Sequence, residues 1–248
     1  QNMTDRNPKR TAGFTLIELL IVVSIIAVLA GLALVVLRDA QDTSRHARSV
    51  SLVGQIQTIL SAKLEEYETR PLPFRASSLS RDWNDRRRIR QRAILDWIRS
   101  EMPQQPGDIV PASIPWSNGW TEPAWKTNYL NFFRPSSGAL GAQRILTGMN
   151  ANNAGAKCLY AILYNTWHND SRAIDVCNAS EISIDSTDQK RLIRDAFGDP
   201  LVFQVFADLD ADGILDPGET LDSLLSSNQL PDFRQLIVRV TYARQDER

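Results

Sequence analysis

The sharpest chemistry in the chain sits toward its C-terminal end, in Asp208-Leu209-Asp210-Ala211-Asp212-Gly213-Ile214-Leu215-Asp216-Pro217-Gly218-Glu219. Carboxylates at alternate positions, a glycine at the sharp turn and a closing glutamate match a calcium loop, whose hard oxygen ligands suit that ion. Asp208, Asp210 and Asp212 would converge as the loop curls, and Ile214 would offer its carbonyl. Asp216 would reach through a water, and Glu219 would bind through both oxygens. Without a cation, five carboxylates held so close repel one another. The plainer alternative is an acidic hairpin turned by Asp212-Gly213, but a hairpin requires neither Asp216 nor Glu219 at its offset. The segment ahead of the loop looks like a strand, so the expectation is a calcium loop grafted between strands.

Other reactive residues are few. Cys158 and Cys177 are the two cysteines; in an exported domain they would form one disulfide across the polar stretch 165–175. The alternative is that Cys158 serves as a small buried hydrophobe. His46 and His168 stand apart, and no nucleophile elbow, zinc signature, Walker loop or dinucleotide fingerprint is present. No enzymatic activity is expected. A basic run from Arg86 to Arg92 reads as a solvated helix face balanced by Asp82, Asp85, Asp96 and Glu101, not as a headgroup or nucleic-acid contact. With a formal charge of −1 over 248 residues, nucleic acid is not an expected partner.

The other candidate is Glu18. From Leu19 to Leu37 there is no charged residue, and Ser24 is the one polar side chain. Such a run is long enough for a helix to cross a bilayer, and a carboxylate at its edge needs a partner or a task. Thr15-Leu16-Ile17-Glu18 fits a capping box, which alone would employ Glu18. A secretory signal peptide fits less well: the apolar segment is too long, and no small-residue cleavage pattern follows it. Ala27, Ala30, Gly31 and Ala33 would suit close helix packing in lipid.

A basic leader with Arg6, Lys9 and Arg10, then Gly13-Phe14-Thr15-Leu16-Ile17-Glu18-Leu19-Leu20 and a long apolar helix, resembles the type IV pilin and type II secretion pseudopilin class. The resemblance implies cleavage by a prepilin peptidase between Gly13 and Phe14 and methylation of Phe14 as the new N-terminus. It gives Glu18 the task of pairing with the terminal amine of a neighbouring subunit. The implied partners are other pilin-like or pseudopilin subunits, the peptidase and an inner-membrane assembly platform. The implied location is the bacterial inner membrane, single-pass, with the C-terminal domain outside the cytoplasm, and then a periplasmic or surface filament. Asp195-Ala196-Phe197-Gly198-Asp199-Pro200 resembles a turn that leads into a C-terminal strand in pseudopilins, and the major pseudopilin carries calcium in its C-terminal region. Major subunits commonly have a proline where this chain has Val35. A minor subunit is therefore expected, with a membrane-anchored calcium-dependent binding protein that never polymerises as the alternative.

The elements that must position these residues follow from periodicity. One helix is expected from about Phe14 to about Glu68, with Val50, Val53, Ile56, Leu60, Leu64 and Tyr67 as an apolar stripe and Pro71 and Pro73 beyond its end. At 1.5 Å per residue, roughly 50 residues would extend about 80 Å. A second helix is expected over 80–102 and another over 156–167, with strands at 201–206 and 236–242. The stretch 103–135 reads as irregular, with Tyr129 to Phe133 as a short buried segment. Its Trp116, Trp120 and Trp125 are expected to plug a loop onto the core, the alternative being a sugar- or ligand-stacking surface. The expected fold is α+β: a leader at 1–13, a membrane and assembly helix at 14–70, and a globular domain with a small antiparallel sheet at 71–248.

Overall fold

A computed structural model describes residues 15–70, 82–109, 124–133, 153–208, 216, 218–219 and 236–242. The fold is α+β, and the chain divides into two compact units, Gln1–Arg45 and His46–Arg248. Helix α1 runs from Leu16 to Thr69 without a break. No proline interrupts it. In hydrocarbon surroundings a helix satisfies every backbone amide and carbonyl within the segment, which outweighs the weak helix preference of its many Val and Ile residues. Every large hydrophobic side chain from Leu16 to Leu37 is exposed, the least of them, Val22, at 46%. By length and composition this part of α1 is able to cross a membrane.

In the second unit α1 buries Ser49, Leu52, Val53, Ile56, Ile59, Leu60 and Tyr67, a face repeating every three to four residues. Val50, expected on this stripe, is exposed, while Leu52 and Ile59 are in the core. The face turns toward Ser49 because its Oγ accepts the Ala196 N–H at 3.1 Å, a polar anchor that an apolar pattern does not reveal.

Helices α2 (Trp83–Glu101), α3 (Ala124–Phe133) and α4 (Ala154–Asn165) join this core. Helix α3 corrects the irregular reading of 103–135: Tyr129 and Phe133, four apart, are fully buried on one face. Trp116 and Trp120 lie outside the described residues, whereas Trp125 packs edge-on to Trp97 at 6.2 Å.

The described strands form three antiparallel pairs: β1 (Trp167–His168) with β2 (Ser171–Arg172), β3 (Ile182–Ile184) with β4 (Arg191–Ile193), and β5 (Val202–Ala207) with β6 (Leu236–Thr241). The last pair aligns Val202 with Thr241 and Ala207 with Leu236. Phe203 and Val205 on β5 and Val238 and Val240 on β6 face inward, as a half-buried sheet requires. The Asp195 turn links β4 to β5. Its Oδ1 accepts the N–H groups of Phe197 (2.9 Å) and Asp199 (2.8 Å). Gly198 takes φ +94°, a conformation that side chains disfavour. Leu201 N–H then reaches Ile193 O at 3.1 Å, and β5 begins.

Candidate functional site

The first turn of α1 is built by its own side chains. Glu18 Oε2 accepts the Thr15 N–H at 2.9 Å and the Thr15 O–H at 2.8 Å, and Glu18 N–H donates to Thr15 Oγ1 at 3.3 Å. This is a reciprocal capping box, which satisfies amides that the helix leaves without partners. Gly13 and Phe14 lie outside the described residues. Further along, Ser24 O–H donates to Leu20 O at 2.7 Å. The one hydroxyl in the apolar run is thus satisfied within its own helix, as hydrocarbon surroundings demand.

At the other end of the chain, Asp208 and Glu219 bracket the acidic loop, only 5% and 7% exposed. Glu219 N–H donates to Asp216 O at 3.0 Å, and Glu219 Oε2 accepts the Asp216 N–H at 3.1 Å. Asp210, Asp212 and Ile214 lie outside the described residues. Among the described residues no three His, Cys, Asp or Glu side chains gather as a metal ion would need.

The expected bond between Cys158 and Cys177 is absent: both are buried free thiols. Cys158 is on α4 and Cys177 follows the short 3-10 turn Ala173–Val176, and both belong to the apolar core. Burial pushes the Cys158 thiol well up, and burial with the nearby Glu181 carboxylate pushes Cys177 up to about 12. Such thiols pack as small hydrophobes and yield little thiolate.

Residues 8–34 match the prokaryotic N-terminal methylation motif, the processed signal of type IV pilins and pseudopilins. This is a pilin-type N-terminus. No curated protein and no solved structure matches the chain. The pilin-like motif points to a structural subunit and not to an enzyme.

Two ion clusters in the head of this pilin-like chain escaped the sequence reading. Lys157 on α4 has a fully buried side chain whose Nζ meets Asp185 Oδ2 at 2.8 Å and Asp188 Oδ2 at 2.7 Å. Burial alone would lower the ammonium's pKa, but the two carboxylates outweigh it and hold it above its ordinary value. Asp185 in turn is held well below the usual carboxylate range, first by Lys157 and then by the Thr187 N–H. The signal was present in the sequence: a lysine within the buried stretch Ala156-Lys157-Cys158-Leu159 implies a nearby carboxylate. The second cluster centres on Glu101 at the end of α2. Its carboxylate accepts from Lys63 Nζ (2.8 Å), Arg70 (3.0 Å) and Trp97 Nε1 (2.7 Å). Burial opposes its charge, yet Lys63 and Arg70 prevail and keep its pKa low. Because Lys63 and Arg70 frame the end of α1, this cluster ties that helix to α2.

Proposed function

We propose that the protein is a minor pilin-like or pseudopilin subunit of a type II secretion pseudopilus or a type IV pilus. The observation that carries this reading is the methylation motif at 8–34, running into a helix whose large apolar side chains from Leu16 to Leu37 are all exposed. The apolar half of α1 is held in the inner membrane, with the head outside the cytoplasm, and is then drawn into a bundle of neighbouring helices. Prepilin peptidase cuts between Gly13 and Phe14. Glu18 leaves its contact with Thr15 to pair with a neighbour's terminal amine. The head binds calcium through Asp208, Asp210, Asp212, Ile214, Asp216 and Glu219. The alternate spacing of the carboxylates, the glycine at the turn and the closing glutamate support that assignment.

Mass spectrometry of protein from its native host is the deciding test. A chain starting at methylated Phe14 is expected; one that retains Arg6 and Lys9, or is cut beyond Leu37, overturns the reading. The Thr15–Glu18 box favours a second reading, an anchored calcium-dependent binder that does not polymerise, because it employs Glu18 locally. Glu18→Ala separates the two. Normal processing with impaired filament incorporation marks an assembly residue, and normal incorporation returns Glu18 to its cap.

A further inference from the structure

The head also contains a groove of about 690 Å³ between α3, α4, the β1–β2 hairpin and the start of β4. That volume lies within the about 300–1,000 Å³ typical of small-ligand sites. Its aromatic side is a ladder. Phe132 stacks on Tyr160 at 5.3 Å and 25°, and Tyr160 on Tyr164 at 5.9 Å and 18°. Arg172 closes the ladder, with its guanidinium 4.4 Å over the Tyr164 ring and 5.9 Å from the Trp167 ring. Trp167 itself is 68% exposed, an indole that fills no core. The hairpin holds it firmly all the same, since it pairs with Arg172 across a turn whose Asn169 and Asp170 both have positive φ.

The polar lining has a composition of its own. Four primary amides, Asn128, Asn131, Asn165 and Gln189, face the groove. Each carries donors and acceptors together, which is what sugar hydroxyls need. Two are already oriented: Asn128 Nδ2 donates to Asn165 Oδ1 at 2.9 Å, and Asn165 Nδ2 donates to Ala161 O at 2.8 Å. The charged lining is Arg172, Lys190 and Arg191, with no carboxylate among the lining residues. Arg191 is steadied by donating to Tyr160 Oη at 3.1 Å.

We propose that this groove binds an acidic saccharide. One sugar ring lies on the Trp167 indole, its hydroxyls meet the amides, and its carboxylate meets the Arg172, Lys190 and Arg191 side. A single-stranded nucleic acid fits the site less well, because such strands stack successive bases on successive open rings. Here Tyr160 is 3% exposed and the Arg172 guanidinium lies over one face of Tyr164, so Trp167, at 68% against 41% for Tyr164, is the most open platform. None of the groove's lining residues belongs to the N-terminal signal or to the stretch 208–219, and the proposal does not depend on polymerisation.

The test is calorimetric titration of the full chain in detergent with trigalacturonate, alginate oligomers and hyaluronan oligomers. A neutral methyl ester of trigalacturonate and a thymidine oligonucleotide serve as comparisons. Saturable binding of at least one acidic oligosaccharide is expected, weakening as salt is raised. Trp167→Ala and Arg191→Gln should each weaken it by about tenfold or more, with unchanged thermal melting in the exposed Trp167 variant. Three results overturn the proposal: no saturable binding of any acidic oligomer, equal binding by the Trp167 variant, or tighter binding of the oligonucleotide.

Discussion

The turn between β3 and β4 and the segment 208–219 after β5 both collect aspartates, and under the proposed calcium assignment they differ in where the compensating charge originates. In the first, the protein supplies it: Lys157 reaches from α4 and its Nζ meets both Asp185 and Asp188. In the second, five carboxylates occur between 208 and 219 without one lysine or arginine, and the next cation along the chain is Arg234. A tethered ammonium folds with the chain and is present in any buffer. A loop that relies on a dissolved ion is as stable as that ion's concentration allows. If the calcium assignment holds, similar clusters of acidic residues place one part of the fold under internal control and another under external control.

Removing the tethered charge should have the largest effect. Lys157→Met leaves two carboxylates without their buried partner and should destabilise the head by about 3–5 kcal/mol. Denaturant unfolding of the full chain in detergent measures this, and adding Asp185→Asn and Asp188→Asn should recover much of the loss. A loss below about 1 kcal/mol, the size of an exposed ion pair, would remove the distinction between the two turns.

Calcium should matter next. At a hundred times its dissociation constant it should add about 2.7 kcal/mol to the folded state, seen as a higher melting temperature in calcium than in chelator. Asp212→Asn or Glu219→Gln should shrink that difference, and magnesium should substitute poorly because it demands stricter geometry. Identical melting in calcium and chelator would reduce 208–219 to an acidic turn.

The smallest effect should come from acid. The folded pKa of Asp185 is lowered, so its contribution is complete above the ordinary aspartate value of about 3.9 and fades as pH falls through the lower folded value. Glu101 has the same sign. Measured in chelator, stability should therefore fall below about pH 4, and Asp185→Asn should make that fall shallower. An unchanged acid profile in the variant would show that Lys157 does not favour the charged carboxylate.

The parts legible in the sequence are those with a strong local pattern. Helix α1, the pair β5–β6 and the Asp195 turn each announce themselves through period, β-branched content or turn residues. Helix α3 did not, because it spans only ten residues between Pro123 and Pro135, too short for the spacing of Trp125, Tyr129 and Phe133 to stand out as a period. The Lys157 cluster and the groove were hidden for another reason: their residues meet only through the fold. Asn128 and Gln189 say nothing to each other along the chain. The cysteines differ from the expectation because two thiols in a domain expected outside the cytoplasm invite pairing, whereas packing here uses each one separately.

The cap on Glu18 bears on how a subunit would join and leave a filament. A carboxylate that already holds the Thr15 N–H and O–H has two contacts to give up before it accepts an incoming amine. Joining is then a swap of partners, not the capture of a vacant charge, and the swap runs in either direction. If Glu18 has the proposed pairing role, the rate of that swap would follow how often the first turn of the helix frays. A departing subunit can close the same contacts behind it and return to the lipid with no polar group stranded.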